Sequence, residues 1–325
     1  KRRQAVLNEN NLRQAHFPER ALVIPNRSGS ADAFLTEINK KDGKRVMVFS
    51  LPGVPLEMRV LMDEEIIPRC RALFGAQRPY HAEYLKCFGL GEAHIGGQIE
   101  RCALDDAVNV AYRPRFPEIL LTLTIRGRDE WPEARVRETL RQSAEKVKLA
   151  LGRDYVFSSV PEESLAQVVG SLLVSNSATI ACAESCSGGL LAHEFVSVPG
   201  ASAFFVGSIV AYANRVKESC LGVKHETIQS FGAVSAETAA EMACAARTIM
   251  GSDFGVSVTG IAGPGGGTVD KPAGTVWCSV AHPKGVYTCR LRLSWGRDYV
   301  RRYSTFYALD LVRRFLLRLE LPQAS

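Results

Sequence analysis

The sequence lacks the short cysteine and histidine motifs that hold structural metals. Its nine cysteines contain no Cys-x-x-Cys pair, and its six histidines contain no His-x-x-x-His pair. These spacings are typical of zinc sites, so we expect no zinc centre. The number of cysteines is odd and most of them lie in apolar runs, which favours reduced, buried thiols in a cytoplasmic protein.

Long apolar runs and a strong charge of one sign are also missing. No apolar stretch reaches the roughly 18 residues of a membrane-spanning helix, and no signal peptide is recognisable. The net charge of the 325-residue chain is only +6. This mild charge suits a small anionic substrate such as a nucleotide but does not establish nucleic-acid binding. We therefore expect a globular protein with no membrane contact.

Hydrophobic periodicity predicts an α/β fold in three parts, with boundaries at 1–77, 78–158 and 159–325. The first part reads as the end of an α/β domain, and the second as a small α+β unit. For the third part the pattern predicts helices over 165–175, 235–250 and 297–317, strands over 178–183, 204–212 and 254–259, and a hairpin of 274–281 and 286–293.

Four polar segments of the third part follow strands or open a helix. They are Glu-Ser-Cys-Ser-Gly-Gly at 184–189, Tyr-Ala-Asn-Arg-Val-Lys at 212–217, the glycine-rich stretch 259–267, and 296–301. Sites in open α/β sheets lie beyond the carboxyl ends of the strands. We therefore predict that the four segments form one pocket.

Ser185 is the candidate nucleophile, although a serine in such a turn is more often a helix cap. A serine needs a base, and none of the six histidines lies in these segments, so a Ser-His-Asp triad is poorly supported. Lys217 can be the base if burial lowers its pKa, with Asn214 as a potential helix cap. Cys186 remains an alternative nucleophile for which no base is evident.

The other two segments offer groups that bind anions. The glycine-rich stretch supplies backbone N–H groups for an oxyanion or a phosphate, yet it has neither the Walker A lysine nor the GxGxxG spacing. Arg297 and Arg301 lie one helical turn apart, so they can face the same anion.

Taken together, several stretches resemble the C-terminal domain of the CinA family, the competence/damage-inducible proteins. These stretches are 183–189, 212–217, 232–235, 259–264 and 271–277. Residues 8–75 resemble the last part of that family's molybdopterin-binding-like N-terminal domain, and 80–157 resemble its KH-like middle domain. The resemblance implies a three-layer α/β/α amidase domain over 159–325, a KH-like domain over 78–158 and a partial α/β domain over 1–77. It also implies an N-terminally truncated chain, since roughly the first half of the N-terminal domain is not matched.

The resemblance further implies an activity, the hydrolysis of nicotinamide mononucleotide to nicotinate mononucleotide and ammonia. Ser185 would be the nucleophile and Lys217 its base, Tyr212 and Thr259 would assist, and Arg297 or Arg301 would hold the phosphate. Further predicted substrate contacts are Glu184, Ser187, Gly188, Gly189, Asn214, Gly260 and Gly263. The reaction needs no metal or cofactor, and the family implies a homodimer.

Two other functions stay open. The family's N-terminal domain is credited with a metal-dependent ADP-ribose pyrophosphatase activity, but its early Gly-Gly-x-Gly-Pro-Thr segment is absent here, so a divalent metal is expected only if that site is complete. The chain could instead be a competence-associated protein that binds a nucleotide without turnover. A nucleic-acid partner is not expected, since the middle part has no GXXG loop.

Overall fold

The computed structural model describes residues 16–75, 80–126 and 131–322. The chain divides into two compact units, Lys1–Pro79 and Tyr80–Ser325. The boundary predicted near residue 158 lies within the second unit, which contains two separate sheets. In the described residues, no helix is both long and apolar enough to cross a membrane.

The first unit contains a three-stranded antiparallel sheet followed by helices. Its strands are β1 (Leu22–Ile24), β2 (Ala33–Asn39) and β3 (Arg45–Ser50), in the order β1-β2-β3. Its helices are α1 (Pro55–Leu61) and α2 (Ile67–Phe74), joined by a π-helical turn at Met62–Ile66. Pro55 opens α1, where its missing N–H has no helical partner to lose. A small core of Ile24, Ala33, Leu35, Leu61 and Ile66 joins the sheet to the helices.

The second unit begins with a four-stranded antiparallel sheet in the order β5-β6-β4-β7. The strands are β4 (Tyr80–Phe88), β5 (Asn109–Arg115), β6 (Glu118–Arg126) and β7 (Val156–Ser158), and the helices are α3 (Glu92–Glu100) and α4 (Glu133–Leu151). Residues of β4 and β6 pack against both helices in a single apolar core. This arrangement agrees with the α+β character predicted for the middle of the chain.

A five-stranded sheet with the order β12-β11-β10-β8-β9 forms the rest of the second unit. Its strands are β8 (Ile180–Glu184), β9 (Phe205–Val210), β10 (Phe254–Gly260), β11 (Thr275–His282) and β12 (Gly285–Arg292). The helices are α5 (Leu165–Ser175), α6 (Leu190–Val196), α7 (Asn214–Leu221), α8 (His225–Phe231), α9 (Ala236–Met250) and α10 (Arg297–Leu317). β8 runs parallel to β9 and β10, and the β11–β12 hairpin extends the sheet antiparallel to β10.

Helices cover both faces of this sheet because alternate residues of a strand point to opposite sides. Ile180 and Cys182 of β8 pack in the core that contains residues of α5, α6 and α10. Ala181 and Ala183 pack on the other side, against residues of α7, α8 and α9. The three-layer α/β/α arrangement predicted for this region is confirmed.

The secondary structure of this region follows the sequence closely, with two differing strands, one of which is predicted over 178–183 and spans Ile180–Glu184. Helices α5 and α10 have the predicted bounds, and the predicted hairpin is β11–β12. The strand predicted over 204–212 ends at Val210 instead, because the chain turns there and Ala213 already caps α7.

Candidate functional site

The carboxyl ends of β8, β9 and β10 meet at one edge of the sheet, since these strands are mutually parallel. A cavity of about 280 Å³ lies beyond that edge, where open α/β sheets bind their ligands. It is lined by Ser185, Cys186, Tyr212, Asn214, Lys217, Ala233, Val234, Thr259, Gly260, Ile261, Ala262, Gly263, Gly265, Gly266 and Arg297. All four predicted polar segments therefore contribute to one cavity.

Ser185 and Lys217 form a hydrogen-bonded pair in this cavity. The Lys217 Nζ atom lies 3.0 Å from Ser185 Oγ. It also contacts two backbone oxygens, the carbonyl of Ala211 at 2.7 Å and that of Tyr212 at 3.2 Å. Lys217 is only 1% exposed, so these three atoms hold its amine in a fixed position.

The three partners can be satisfied by either protonation state of the amine. A neutral lysine has two N–H donors and one lone pair, whereas the ammonium form has three donors and no acceptor. The carbonyls of Ala211 and Tyr212 can only accept, so they take two N–H groups. In the ammonium form the third N–H donates to Ser185 Oγ at 3.0 Å, and in the neutral form the lone pair can accept the Ser185 hydroxyl proton across the same contact.

Burial makes the neutral form accessible. Desolvation lowers the pKa of Lys217 from 10.5 to about 8, and the neighbouring Cys186 thiol opposes that shift. In the described part of the chain, no carboxylate is among the groups that shift this pKa. A lysine with a pKa near the ambient pH can accept a proton, as a general base must.

Glu184 stabilises the turn at 185–189, which carries Ser185. Its carboxylate accepts hydrogen bonds from the N–H groups of Gly189, Leu191 and Ala192 and from the Ser208 hydroxyl, all within 3.1 Å. It is fully buried and stabilises the start of α6 as a negative charge does at a helix N-terminus. Glu184 was expected to contact substrate, but it lies outside the cavity lining and holds the backbone that carries Ser185.

Cys186 lines the cavity beside Ser185 but keeps its proton. Burial raises the pKa of its thiol to about 12, and the thiolate rather than the thiol is the nucleophile. Of the two neighbouring candidates, the geometry favours Ser185, because the Lys217 amine contacts its hydroxyl.

Thr259 ties two walls of the cavity together. Its hydroxyl donates to the carbonyl of Ala233 at 2.8 Å, which joins the end of β10 to the segment before α9. Gly260, the next residue, lies close to the backbone of β11. A Cβ at this position would lie 2.8 Å from the carbonyl oxygen of Thr275. Only glycine permits this close approach without displacing the backbone.

The two arginines hold different loops. Arg297 lines the cavity, and its Nη1 donates to the carbonyl of Gly263 at 3.0 Å. Arg301 turns toward the other loop, where its Nη2 donates to the carbonyl of Ser187 at 3.0 Å. Of the two arginines, Arg297 is the one in the cavity lining, and an anion shared by both stays a prediction.

Three further predicted contacts shape the serine turn instead of lining the cavity. Gly188 and Gly189 have φ angles of 63° and 93°, a left-handed conformation that glycine adopts without strain. The Ser187 hydroxyl is buried and, among the described residues, has no hydrogen-bond partner. These three residues and Arg301 lie outside the lining.

Tyr212 and Asn214 lie on the segment that leads into α7. The Tyr212 side chain is 64% exposed, so its ring is available to a ligand while its carbonyl holds Lys217. Asn214 is the first residue of the helix, and the cap position belongs to Ala213, which makes no side-chain cap. The cap predicted at Asn214 is therefore wrong, and the amide of Asn214 remains at the cavity.

The sequence did not predict the backbone carbonyl that binds Lys217 or the residues that form one wall of the cavity. Ala211 contributes through its carbonyl, and Ala233 and Val234 form a wall. None of these side chains is polar, so composition gives no signal for them. The Gly-Ala-Val-Ser motif at 232–235 is the feature that could have pointed to this wall.

Metal ligands are not clustered in the described residues. No group of three or more His, Cys, Asp or Glu side chains is placed there to hold a metal ion. In the first unit, Asn26 donates to Glu57 at 2.7 Å and its backbone N–H to Asp32 at 2.8 Å. The divalent metal expected for a complete pyrophosphatase site stays a prediction.

Comparisons with known proteins assign the sequence to a family. The family model for the CinA C-terminal domain matches residues 162–316. A relative from Thermoanaerobacter pseudethanolicus, named for competence and damage induction, is 37% identical over 312 residues, covering 96% of this chain and 73% of the relative. A CinA-like protein from Desulfosudis oleivorans is 40% identical over 319 residues, covering 97% of this chain and 75% of the relative.

A solved structure is similar to about half of this chain. The competence/damage inducible protein CihA from Agrobacterium tumefaciens is 37% identical, with a TM-score of 0.45, covering 46% of this chain and 92% of that one. The sequence relatives extend over nearly the whole chain and most of their own length. The chain therefore belongs to the CinA family.

Proposed function

We propose that this protein is an amidohydrolase that converts nicotinamide mononucleotide to nicotinate mononucleotide and ammonia. The observation that carries the proposal is the contact between Ser185 Oγ and the buried amine of Lys217. This pair has the composition of a Ser-Lys hydrolase site, in which a lysine of lowered pKa replaces histidine as the base. Family membership supports the choice of substrate, since the resemblance implies this activity.

The first half of the reaction forms an ester on the serine. The neutral Nζ of Lys217 takes the hydroxyl proton as Ser185 Oγ attacks the carboxamide carbon, and the carbonyl oxygen becomes an oxyanion. Lys217 then returns that proton to the amide nitrogen, the C–N bond breaks, and ammonia leaves. The product on the enzyme is an ester of Ser185 with the nicotinate group.

The second half uses water in place of the serine. Lys217 takes a proton from water, hydroxide adds to the ester carbon, and the C–O bond to Ser185 breaks. The proton on Lys217 returns to Ser185 Oγ, and the new carboxylic acid gives its remaining proton to solvent, so nicotinate mononucleotide leaves as a carboxylate. One water is consumed for each ammonia released, and Lys217 regains its starting state.

Backbone donors near Ser185 can stabilise the oxyanion. The N–H groups of Ser185 and Gly188 are taken by the carbonyls of Val258 and Ser185, whereas the N–H of Cys186 faces its own side-chain sulfur, a weak acceptor that an oxyanion can replace. We assign the Cys186 N–H to the oxyanion. Such a donor typically contributes a factor of about 10²–10³ to kcat.

The cavity also suits the charge of a mononucleotide. Arg297 is the arginine in its lining, and one of its nitrogens bonds to Gly263, which leaves further N–H groups of the guanidinium for a phosphate. Tyr212 exposes its ring beside the cavity. We assign the phosphate to Arg297 and the pyridine ring to the neighbourhood of Tyr212.

The test is ammonia release from nicotinamide mononucleotide, with nicotinate mononucleotide measured by chromatography. Wild type is expected to turn over, and Ser185→Ala is expected to lose activity by a factor of about 10³ or more. Cys186→Ala is the matched neighbouring variant and is expected to keep activity within a fewfold of wild type. Equal rates for wild type and Ser185→Ala would refute the mechanism.

Two further outcomes separate the alternatives. Tight binding of the mononucleotide by calorimetry without any product would indicate a protein that binds but does not turn over. Acid quenching during turnover, followed by peptide mass spectrometry, is expected to find the acyl group on the peptide that contains Ser185. An adduct on Cys186 instead would overturn the assignment of the nucleophile.

A further inference from the structure

The start of α10 carries the arginine of the cavity but is poorly buried. All six residues from Ser294 to Tyr299 are exposed, and Val300 is the first buried residue of the helix. The N-cap residue is Gly296, which has no side chain to accept a hydrogen bond from the first N–H groups of the helix. This helical turn therefore has few internal constraints on the position of Arg297.

A phenylalanine from the four-stranded sheet packs on this turn. Phe116 lies in the β5–β6 connection, and its ring centroid is 4.8 Å from that of Tyr299 and 5.6 Å from that of Trp295, both edge to face. It also lies 6.3 Å from the ring of Tyr303. Trp295 lies two residues before Arg297 and Tyr299 two residues after it. The ring of Phe116 therefore contacts the chain on both sides of the arginine.

The same helical turn connects to both loops of the cavity. Arg297 bonds to the carbonyl of Gly263 in the glycine-rich loop. Arg301, one turn further along, bonds to the carbonyl of Ser187 in the turn that carries the nucleophile. A shift of the exposed turn before Val300 would therefore move Arg297 in the cavity and loosen its bond to the glycine-rich loop, while Arg301, beyond the buried Val300, keeps its bond to the serine turn.

We propose that Phe116 is a positioning residue that acts through Trp295 and Tyr299 to hold Arg297 at the cavity. The β5–β6 hairpin thereby contributes to substrate affinity without touching the substrate. For its effect on catalysis this inference rests on the proposed function. For its effect on the helix start it rests on the contacts alone.

The test combines kinetics with a mutant cycle. Edge-to-face aromatic pairs contribute about 0.5–1.5 kcal/mol beyond their buried area, or about 2- to 12-fold in an equilibrium constant. Phe116→Ala is therefore expected to raise KM for nicotinamide mononucleotide about 3- to 10-fold while kcat stays within about twofold. In an Arg297→Ala background the same substitution is expected to change KM less than about twofold, since the group it positions is gone.

The matched control is Tyr112→Ala, which removes an aromatic ring from the same hairpin but from the core of the four-stranded sheet. It is expected to leave KM unchanged at temperatures where it remains folded. Phe116→Leu retains apolar contact and is expected to lie between wild type and Phe116→Ala. If Phe116→Ala does not fold, Phe116→Leu serves in the cycle.

Hydrogen–deuterium exchange separates this inference from the proposed function. Phe116→Ala is expected to speed exchange in peptides that cover 296–301, whether or not wild type shows amidase activity. Unchanged exchange there, or additive effects of Phe116→Ala and Arg297→Ala on KM, would overturn the positioning role. Absence of turnover and of binding in wild type, with faster exchange in Phe116→Ala, would refute only the proposed function.

Discussion

The pH dependence of turnover tests the central claim that neutral Lys217 is the base. The pKa of this amine lies at about 8 because burial disfavours its charged form. At pH 7 only about a tenth of the molecules carry the neutral amine, at pH 8 about half, and at pH 9 about nine tenths. If only the neutral form accepts the proton of Ser185, kcat/KM should rise about tenfold from pH 7 to pH 9 and then level off.

The measurement is ammonia release at low substrate concentration, at constant ionic strength, between pH 7 and pH 9.5. This range lies above the second ionisation of a phosphate monoester, near pH 6, so substrate ionisation does not contribute. Lys217→Arg is the informative variant, because a guanidinium stays charged throughout the range. It is expected to lose activity by about 10³ or more at every pH.

A rate that is flat or falls over this range would refute the reasoning. So would Lys217→Arg or Lys217→Met with more than about a tenth of wild-type activity. A rise with a midpoint near pH 10.5 would mean that burial does not lower the pKa of the amine. A midpoint near pH 8 that is retained in Lys217→Met would mean that another group titrates.

Further predictions concern stability and the neighbours of the pair. Because the pKa of Lys217 is about 8 in the folded protein and 10.5 without burial, the unfolded chain binds more protons between these values, so this residue makes the free energy of unfolding rise with pH there. Urea titrations at pH 7.5 and pH 10 are expected to show a smaller rise in Lys217→Met, and an equal rise would contradict the assignment. Glu184→Gln replaces a carboxylate oxygen, which accepts hydrogen bonds from backbone N–H groups, by an NH₂ donor. This variant is expected to lower the free energy of unfolding by about 1–3 kcal/mol and to reduce kcat. Unchanged values of both quantities would exclude the supporting role of Glu184. Gly260→Ala places a Cβ 2.8 Å from a carbonyl oxygen and is expected to lower the melting temperature and the activity together, so a variant with wild-type melting would show that β11 can shift.

Much of the site could be predicted because polar side chains stand at the ends of parallel strands. Ser185 follows β8, Thr259 lies at the end of β10 and Lys217 lies in the first turn of α7. The parallel pairing of β8 with its two neighbours brings the ends of these strands together. The rest could not be predicted because it depends on the backbone. The carbonyls of Ala211 and Tyr212, which fix the amine, belong to no sequence pattern.

Long side chains limited the prediction in a different way. Helical spacing correctly places Arg297 and Arg301 on one side of α10, but spacing does not determine how far a guanidinium reaches or in which direction. Each arginine instead bonds to the carbonyl of a different loop. The docking of Phe116 on the same helix lies beyond local sequence reasoning, since the two elements are about 180 residues apart in the chain.

One signal in the sequence nevertheless distinguishes Lys217 from a solvated lysine. Lys217 and Leu221 are four residues apart in α7, so they lie on the same face of the helix, and both are buried. A lysine at the position that the apolar periodicity assigns to the core must find acceptors or lose its charge, because an isolated buried ammonium is costly. Here two carbonyls accept hydrogen bonds from the amine, and burial lowers its pKa to about 8, so that the amine can lose its charge near neutral pH. The burial that fixes the amine beside Ser185 is thus also what makes it a base, and a substitution that let water reach Lys217 would weaken both properties together.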